Sequence, residues 1–179
     1  MRLRAARAAD AAAIASLYAP YVLDTAVSFE TEPPSEAAML GRMSEGAGLY
    51  PWLVAEEDGT LAGFAYACAF RSRFAYRFAV ETTVYLRQGC EGRGLGSALY
   101  RPLLASLEAQ GFTQAIAAIT LPNEASARLH EKMGFEHAGT YRRVGWKLGA
   151  WRDVGLWQRP LAAERSPPDE PRPPAGLQA

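Results

Sequence analysis

Three glycines at alternate positions, Gly92, Gly94 and Gly96, follow a β-rich segment and lead directly into a helix with apolar periodicity. The first turn of a helix leaves backbone N–H groups unpaired, and the helix dipole favours negative charge there. Glycine lets a phosphate approach this backbone because it has no Cβ. The segment 89–96, termed the glycine loop, is therefore predicted to bind a phosphorylated ligand. The alternative is a tight strand-to-helix turn without a ligand.

Two familiar nucleotide-binding loops do not fit this pattern. A P-loop ends in Gly-Lys-Ser/Thr, and the sequence contains no Gly-Lys pair. The dinucleotide fingerprint requires G-x-G-x-x-G spacing within a βαβ unit. Here the spacing is Gly92-x-Gly94-x-Gly96, and the preceding segments are typical of an antiparallel hairpin.

A second candidate segment, residues 70–77, lies shortly before Glu81. It combines positive charge with aromatic rings, namely Arg71, Arg73 and Arg77 with Phe74 and Tyr76. Guanidinium groups bind carboxylates and related oxyanions in bidentate geometry. The loop is therefore a candidate substrate site, and a solvated charged loop is the alternative.

Composition narrows the class of protein. A chain of 179 residues suits one domain. The balance of 19 basic and 19 acidic residues provides no field for binding nucleic acid or an anionic membrane. Cys68 and Cys90 have neither metal-ligand spacing nor the density of a secreted scaffold. We therefore expect no metal site, reduced thiols and a cytoplasmic location.

The order of predicted elements indicates the fold class. These elements are a strand at Arg2–Ala5, helices from near Asp10 and after Ser35, a hairpin of Trp52–Glu56 and Leu61–Ala69, a strand at Ala79–Leu86, a helix ending at Gln110, a strand at Gln114–Ile119, a helix ending at Met133, and strands near Glu136–Val144 and Asp153–Gln158. This order is not doubly wound. It predicts an α/β domain over 1–161, with a mixed sheet and helices on both faces.

Residues 162–179 differ in composition from the rest of the chain. They contain two proline clusters, scattered charges and almost no large apolar residue. Such a segment does not bury enough apolar surface to fold, so a disordered C-terminal tail is predicted.

The element order and the glycine loop together resemble the GCN5-related N-acetyltransferase (GNAT) superfamily. Its phosphate signature is Gln/Arg-x-x-Gly-x-Gly/Ala, whereas this chain has Glu91-x-x-Gly94-x-Gly96. The glycines match the signature, but a carboxylate near a pyrophosphate is unfavourable. Because that binding is largely through backbone N–H groups, the departure weakens the match without cancelling it. Arg87 and Arg93 are candidates for compensating charge.

The resemblance narrows to one branch, the phosphinothricin and methionine sulfoximine acetyltransferases. The ordered matches cover almost all of the chain before the tail, which makes them far more specific than the glycine loop alone. The matching segments are Ser28-Phe29 with Thr31-Glu32-Pro33, Tyr50-Pro51-Trp52-Leu53-Val54-Ala55-Glu56, Ala75-Tyr76, Glu81-x-Thr83-Val84-Tyr85, Leu121-Pro122-Asn123, Arg128-Leu129-His130-Glu131 and Gly145-x-Lys147-x-Gly149-x-Trp151-x-Asp153-Val154-Gly155.

The resemblance implies a single domain with a mostly antiparallel sheet of about seven strands. It also implies direct acetyl transfer from acetyl-CoA, within a ternary complex, to the amino group of a small glutamate-like amino acid such as phosphinothricin or methionine sulfoximine. A homodimer is implied as well. Two alternatives remain, namely a different acceptor (another small amine or a protein N-terminus) and a non-catalytic acyl-CoA-binding module.

The resemblance also assigns the cofactor-binding residues. The thioester and pantetheine of acetyl-CoA are expected along the backbone of Val84, Tyr85 and Leu86. The pyrophosphate is expected on the glycine loop and the first helical turn, at Gly92, Arg93, Gly94, Leu95, Gly96 and Ser97. Asn123 is implied to hydrogen-bond the cofactor, or else it only caps the following helix.

Acetyl transfer to an amine requires a base for the ammonium and benefits from an acid for the leaving thiolate. By resemblance, Glu81 is the base, and His130 is the acid where the superfamily usually has a tyrosine. The alternatives are a surface carboxylate and a packed histidine. Substrate-binding residues are expected in the segment 70–77, termed the acceptor loop, at Arg71, Arg73 and Tyr76. By resemblance alone they are expected at Phe29 and Lys147. Glu30 stands where relatives often carry a basic residue, which leaves the natural acceptor open.

Overall fold

The computed structural model describes residues 1–163 and 165–174 of the chain. These residues form one α/β domain with seven strands and four α-helices. The strands are β1 (Arg2–Ala5), β2 (Trp52–Glu57), β3 (Thr60–Ala69), β4 (Ala79–Leu86), β5 (Gln114–Leu121), β6 (Glu136–Lys147) and β7 (Ala150–Pro160). The helices are α1 (Ala11–Leu23), α2 (Glu36–Ser44), α3 (Leu95–Gln110) and α4 (Glu124–Lys132), and short 3₁₀ turns lie at Ala8–Asp10, Glu45–Gly48 and Phe74–Tyr76.

The strands lie side by side in the order β1-β2-β3-β4-β5-β7-β6. All neighbouring pairs are antiparallel except β4 with β5, which run parallel. The expected mixed, mostly antiparallel seven-stranded sheet is therefore confirmed.

The parallel pair is short. Its register joins Ala79–Glu81 to Gln114–Ile116, and no later backbone pair links the described parts of the two strands. Both strands nevertheless continue, to Leu86 and Leu121 respectively. The sheet therefore splits between β4 and β5, and the two backbone edges beyond the split face each other across a gap.

Helices cover both faces of the sheet, as predicted. One core lies under α3 and α4 and includes Leu99, Leu103 and Phe112. The other lies under α1 and α2 and includes Ile14 and Phe64. Each core buries apolar side chains from one of the two sets of alternating strand positions.

The predicted helix caps are present. The Ser35 Oγ accepts a hydrogen bond from the Ala38 N–H at 3.1 Å, at the start of α2. The Asn123 Oδ1 accepts one from the Ser126 N–H at 3.1 Å, at the start of α4. Gly111 ends α3 with a φ of 94°, a conformation that favours glycine.

Part of the tail contacts the domain. The Arg172 N–H donates to the Gln110 carbonyl at 2.9 Å, and the Gln110 Nε2 donates back to the Arg172 carbonyl at 2.9 Å. Glu170 forms an ion pair with Arg77 at 2.7 Å. Residues 164 and 175–179 of the tail lie outside the described residues, and the disorder of the tail stays a prediction.

Within residues 1–163 and 165–174, no helix is long and apolar enough to cross a lipid bilayer. The same residues contain no group of three or more His, Cys, Asp or Glu side chains placed to hold a metal ion.

Candidate active site

A cavity lies in the gap between β4 and β5. It is lined by backbone and side chains of Thr82–Tyr85 and Ala118–Thr120, by Val27, and by Asn123, Ser126 and His130 around the start of α4. Beyond the last backbone pair, the β4 edge that faces β5 carries N–H groups without a strand partner, because alternate N–H groups of a strand point to opposite sides. The gap therefore presents hydrogen-bond donors, where the sequence predicts the contacts of Val84–Leu86.

The glycine loop leads from the end of β4 into α3. Gly92 and Gly94 have positive φ angles of 73° and 81°, and no atom lies within 4 Å of where their Cβ atoms would stand. Gly94 is the N-cap of α3, so Leu95, Gly96 and Ser97 form the first turn. The open backbone and the helix N-terminus together suit a phosphate group.

Gly96 has a different structural requirement. A Cβ at this position would lie 2.8 Å from a Cδ atom of Leu129 on α4. A larger residue here would require the end of the Leu129 side chain to move, so the glycine lets α3 and α4 pack closely. This close contact brings the start of α3 next to the helix that carries His130.

The charged residues of the glycine loop are all bonded to nearby groups. The Glu91 carboxylate accepts a hydrogen bond from the Gly89 N–H at 2.8 Å. Arg93 forms an ion pair with Glu57 at 3.0 Å, and the Arg87 guanidinium donates to the Leu61 carbonyl. Glu91 therefore stabilises the loop turn, while the two arginines predicted to offset its charge are engaged with β2 and β3.

Glu81 lies at the end of the parallel pairing, opposite Cys68 of β3. Its side chain is half-buried, and burial raises the pKa of its carboxyl above the ordinary value, while the charge of Arg71 lowers it. Burial also raises the pKa of the Cys68 thiol to about 12, so this neighbour stays protonated at neutral pH. A carboxylate with a raised pKa is a stronger base than an exposed one.

Glu81 and His130 lie on opposite faces of the sheet. Glu81 shares its face with Tyr85, because residues two apart in a strand point the same way. The Tyr85 ring packs on Tyr18 of α1 at a centroid distance of 4.8 Å, so this is the α1/α2 face. His130 packs against Tyr100 of α3 on the other face. The cavity between β4 and β5 is lined by His130 and also by Thr83 and Tyr85, which share the face of Glu81.

His130 is only 3% exposed, and both of its ring nitrogens are hydrogen-bonded. Nδ1 lies 2.7 Å from the Ser126 carbonyl, which only accepts, so Nδ1 carries a proton. Nε2 lies 2.8 Å from the Tyr100 hydroxyl, which donates to it when the imidazole is neutral. Burial lowers the pKa of His130. The side chain is packed and also lines the cavity, and its role as an acid stays a prediction.

Tyr100 is a component of the site that sequence reasoning missed. It is fully buried, and its hydroxyl lies between His130 Nε2 and the Thr82 Oγ1, the latter at 3.5 Å. A tyrosine beside Leu99 on the buried side of α3 was the available signal. A phenol in such a place usually has a polar partner.

The acceptor loop contains two groups of side chains. Arg71 lies over the Phe70 ring at 4.9 Å, and Tyr76 contacts the same ring edge-on at 5.7 Å. Arg77 instead stacks on Phe74 at 4.0 Å and forms the ion pair with Glu170. Arg73 is exposed. The structure therefore brings Arg71 and Tyr76 together, near Glu81, and separates Arg77 from them.

The two residues carried over by resemblance alone have different environments. The Phe29 side chain is 40% exposed and lies against Gly145, where a Cβ would come within 2.2 Å of its ring. Lys147 is 8% exposed, and its ammonium donates to the carbonyls of Val22, Ser28 and Glu30 at 2.6, 2.6 and 2.8 Å. All three of its donors are used, so we leave Lys147 out of the proposed substrate contacts.

Glu30 is neutralised within the domain. Its carboxylate accepts two hydrogen bonds from the Arg42 guanidinium, both at 2.8 Å, and one from the Tyr18 hydroxyl at 2.9 Å. These contacts, with Arg42 first, hold the pKa of Glu30 below its ordinary value. The departure from a basic residue at this position is therefore matched by an arginine on α2.

Comparison with known proteins identifies the family. A family profile described as "Acetyltransferase (GNAT) domain" matches residues 3–156. Phosphinothricin N-acetyltransferase of Streptomyces viridochromogenes is 44% identical over 173 residues, which cover 97% of this chain and 92% of that protein. The L-methionine sulfoximine/L-methionine sulfone acetyltransferase of Salmonella typhimurium is 34% identical over 168 residues, covering 93% of this chain and 98% of that protein.

The solved structures agree. The crystal structure of a GNAT superfamily phosphinothricin acetyltransferase from Sinorhizobium meliloti in complex with AcCoA superposes with a TM-score of 0.88 and is 41% identical. The match covers 96% of this chain and 92% of that one. The chain therefore belongs to the GNAT acetyltransferase family and is an N-acetyltransferase related to the phosphinothricin and methionine sulfoximine enzymes.

Proposed function

We propose that this enzyme acetylates the amino group of a small glutamate-like amino acid, such as phosphinothricin or methionine sulfoximine, with acetyl-CoA as co-substrate. The observation that carries the proposal is the split between β4 and β5 beside Glu81. It provides a passage through the sheet, with a candidate base on one face and the glycine loop leading to α3 and α4 on the other. Two substrates bound on opposite faces can meet in this gap, which supports direct transfer in a ternary complex.

The residues on the α3/α4 side fit acetyl-CoA. The open backbone at Gly92 and Gly94 and the N-terminus of α3 suit its pyrophosphate. The N–H groups of β4 over Val84–Leu86 that face β5 have no strand partner there, and they suit the amide carbonyls of the pantetheine arm. The Leu86 carbonyl itself accepts a hydrogen bond from the Tyr21 hydroxyl at 2.6 Å. When bound, acetyl-CoA supplies the activated acetyl thioester. The Asn123 Oδ1 accepts the hydrogen bond from the Ser126 N–H that caps α4. We therefore assign the cofactor contact of Asn123 to its side-chain NH₂ group, which donates.

Glu81 serves as the general base in this proposal. The acceptor enters as an ammonium and must lose a proton before its nitrogen attacks the thioester carbonyl. Glu81 accepts that proton directly or through a water molecule, and its raised pKa suits this step. The backbone N–H groups on the β4 edge stabilise the negative charge that develops on the carbonyl oxygen.

His130 is proposed to protonate the leaving thiolate. Because its Nδ1–H is committed to the Ser126 carbonyl, the transferable proton must reside on Nε2, next to Tyr100. The doubly protonated imidazole is therefore the acid form. Since burial lowers the pKa of His130, this form contributes more as the pH falls.

The acceptor loop and Phe29 are proposed to recognise the acceptor. Arg71 lies close enough to Glu81 for its charge to lower the pKa of that carboxyl. A carboxylate or phosphinate bound to Arg71 and Arg73, with the Tyr76 hydroxyl as a further donor, would place an amino group near Glu81. Phe29 is half-exposed and lies on the α1/α2 side, where it supplies apolar contact.

The kinetic pattern tests direct transfer. Initial rates are measured over a matrix of acetyl-CoA and phosphinothricin concentrations, and the product is identified by mass spectrometry as the N-acetyl amino acid. A ternary complex predicts intersecting double-reciprocal lines. Parallel lines would instead indicate an acetylated enzyme and would overturn this part of the proposal.

We also propose that the enzyme is a homodimer. Support comes from the family resemblance and from an exposed apolar area on the β6–β7 hairpin, composed of Tyr141, Val144, Trp146, Leu148 and Trp151. Large exposed apolar areas of this kind mark interaction surfaces. Sedimentation velocity at micromolar concentration distinguishes a dimer from a monomer.

A cytoplasmic location is likewise proposed. The two cysteines, Cys68 and Cys90, are both free thiols in the structure. Reducing compartments maintain thiols in this state.

A further inference from the structure

We infer that Lys147 is a positioning residue, which holds the segment 24–30 over the acceptor side of the cleft and thereby sets the affinity for the acceptor. The segment is termed the roof segment. The inference rests on the proposed function for its kinetic part, because it assumes that the acceptor binds on the α1/α2 face.

The contacts of Lys147 converge on the two ends of the roof segment. Its ammonium donates to the Val22 carbonyl at the end of α1 and to the Ser28 and Glu30 carbonyls at the other end. The nine residues from Val22 to Glu30 are thus held around one charge from β6. An ammonium has three donors, and each is used once. Without Lys147, these three carbonyls would lose a strong, charge-assisted partner.

The Phe29 side chain of the roof segment contacts the same strand as Lys147. The Phe29 ring occupies the space in front of Gly145, where a Cβ would come within 2.2 Å of the ring. Gly145 and Lys147 are two residues apart in a regularly paired part of β6, so they share one face. The Lys147 ammonium therefore binds the backbone carbonyls on both sides of Phe29. Gly145 leaves space for the Phe29 ring.

The roof segment also borders the cleft. Val27 lines the cavity between β4 and β5, and its carbonyl accepts a hydrogen bond from the Thr120 hydroxyl at 3.4 Å. Glu30, at the end of the segment, is bonded to Arg42 and Tyr18 on the α1/α2 face. The segment thus lies on the face that carries Glu81, and away from the glycine loop. Its displacement should affect acceptor binding more than acetyl-CoA binding, because the glycine loop proposed for the pyrophosphate lies elsewhere.

The chain offers a matched control, because it contains only two lysines, Lys132 and Lys147. Lys132 is exposed at the end of α4. In Lys147→Met, we expect the KM for the acceptor to rise about tenfold or more, while the KM for acetyl-CoA stays within about twofold. Lys132→Met should match the wild type. An unchanged acceptor KM in folded Lys147→Met would overturn the inference, and so would an equal rise in both KM values, which general loosening of the domain would produce.

Two further measurements test the role of Lys147 and do not depend on catalytic turnover. They remain valid even if the enzyme acetylates no glutamate-like amino acid. In the wild-type enzyme, reductive methylation with formaldehyde and borohydride should label Lys132 and spare Lys147. Equal labelling of the two amines would contradict the buried ammonium. Amide hydrogen exchange over residues 24–30 should be at least about tenfold faster in Lys147→Met than in Lys132→Met, and equal rates would contradict the positioning role.

A second variant tests the roof segment through the Phe29 ring and leaves Lys147 in place. Gly145→Ala displaces the Phe29 ring but keeps the Lys147 ammonium. It should reproduce the selective rise in acceptor KM. If Lys147→Met fails to fold, this variant and the labelling of the wild type remain, and a Gly145→Ala enzyme with unchanged acceptor KM would count against the inference.

Discussion

Glu81 of β4 and Ile116 of β5 form the last backbone pair before these two strands separate. The candidate base is therefore held by regular sheet pairing, while the residues immediately after it border the cleft. This arrangement fixes the carboxylate on a rigid element at the mouth of the gap. The position of the proton acceptor relative to the thioester thus depends on β4 and not on a mobile loop.

The first prediction concerns Glu81→Gln. The amide is isosteric but cannot accept the ammonium proton, so we expect kcat at pH 7.5 to fall by about 10²- to 10⁴-fold. The Kd for acetyl-CoA should not change, because Glu81 lies on the other face. Steady-state rates and calorimetric titration measure the two quantities. Turnover equal to that of the wild type would remove Glu81 as the base.

The same variant should be more stable than the wild type. Burial raises the pKa of Glu81 in the folded state, so the folded state binds its proton more tightly than the unfolded state does. Stability therefore falls as pH rises through this range. Glu81→Gln avoids that loss, and its Tm should exceed that of the wild type at pH 7.5, with the difference disappearing by about pH 4. A lower Tm at pH 7.5 would contradict the assigned pKa direction.

Arg71→Met should shift the pH profile. The positive charge of Arg71 lowers the pKa of Glu81, so its removal raises that pKa. The acidic limb of kcat/KM should then move to higher pH. Arg73→Met is the control, because Arg73 is not among the groups that alter the pKa of Glu81, and its limb should stay in place. If the acidic limb of the kcat/KM profile moved equally in Arg71→Met and Arg73→Met, or in neither variant, Arg71 would have no specific effect on the pKa of Glu81.

Glu91→Gln should bind acetyl-CoA more tightly. The glutamine retains an oxygen for the Gly89 N–H but removes a negative charge from the predicted pyrophosphate site. We expect the Kd to fall about three- to tenfold at low ionic strength, with a smaller effect as salt is added. Glu136→Gln, at an exposed position on β6, is the control. Unchanged affinity at low salt would show that Glu91 does not face the bound anion.

His130→Gln distinguishes an acid from a packed histidine. If the doubly protonated imidazole donates a proton, the ratio of wild-type to variant kcat should be largest near pH 6 and should decline towards pH 8, because burial lowers the pKa of His130. The chain has one other histidine, His137, which is exposed, and His137→Gln should be neutral. A ratio that stays constant over this range would favour the packing role.

Much of the fold could be predicted because its signals are local. The Asp58-Gly59 turn adopts positive φ angles of 50° and 75°, as this dipeptide predicts between two strands. The hairpin of β6 and β7 is longer than predicted, because its turn is Leu148-Gly149 with φ angles of 51° and 72°. A leucine at positive φ is uncommon, so the sequence provided no clear turn signal there.

The contacts within the site were less predictable because they join distant parts of the chain. Tyr100 and His130 are separated by 30 residues, and Lys147 reaches a carbonyl 125 residues away. Residue type indicates that an ammonium or an imidazole needs partners, but not which ones. The resemblance placed Lys147 at the substrate, whereas the structure bonds its ammonium to the protein backbone.

The most direct test of the central claim is acetyl-CoA consumption measured side by side with different acceptors. The panel contains phosphinothricin, methionine sulfoximine, a small amine without a carboxylate, and a peptide with a free N-terminus, each with the wild type and Glu81→Gln. We predict that one of the two glutamate-like amino acids has the highest kcat/KM and that Glu81→Gln lowers its turnover by about 10²- to 10⁴-fold. The proposed acceptor class would be contradicted if the enzyme acetylated the simple amine or the peptide but acetylated neither phosphinothricin nor methionine sulfoximine.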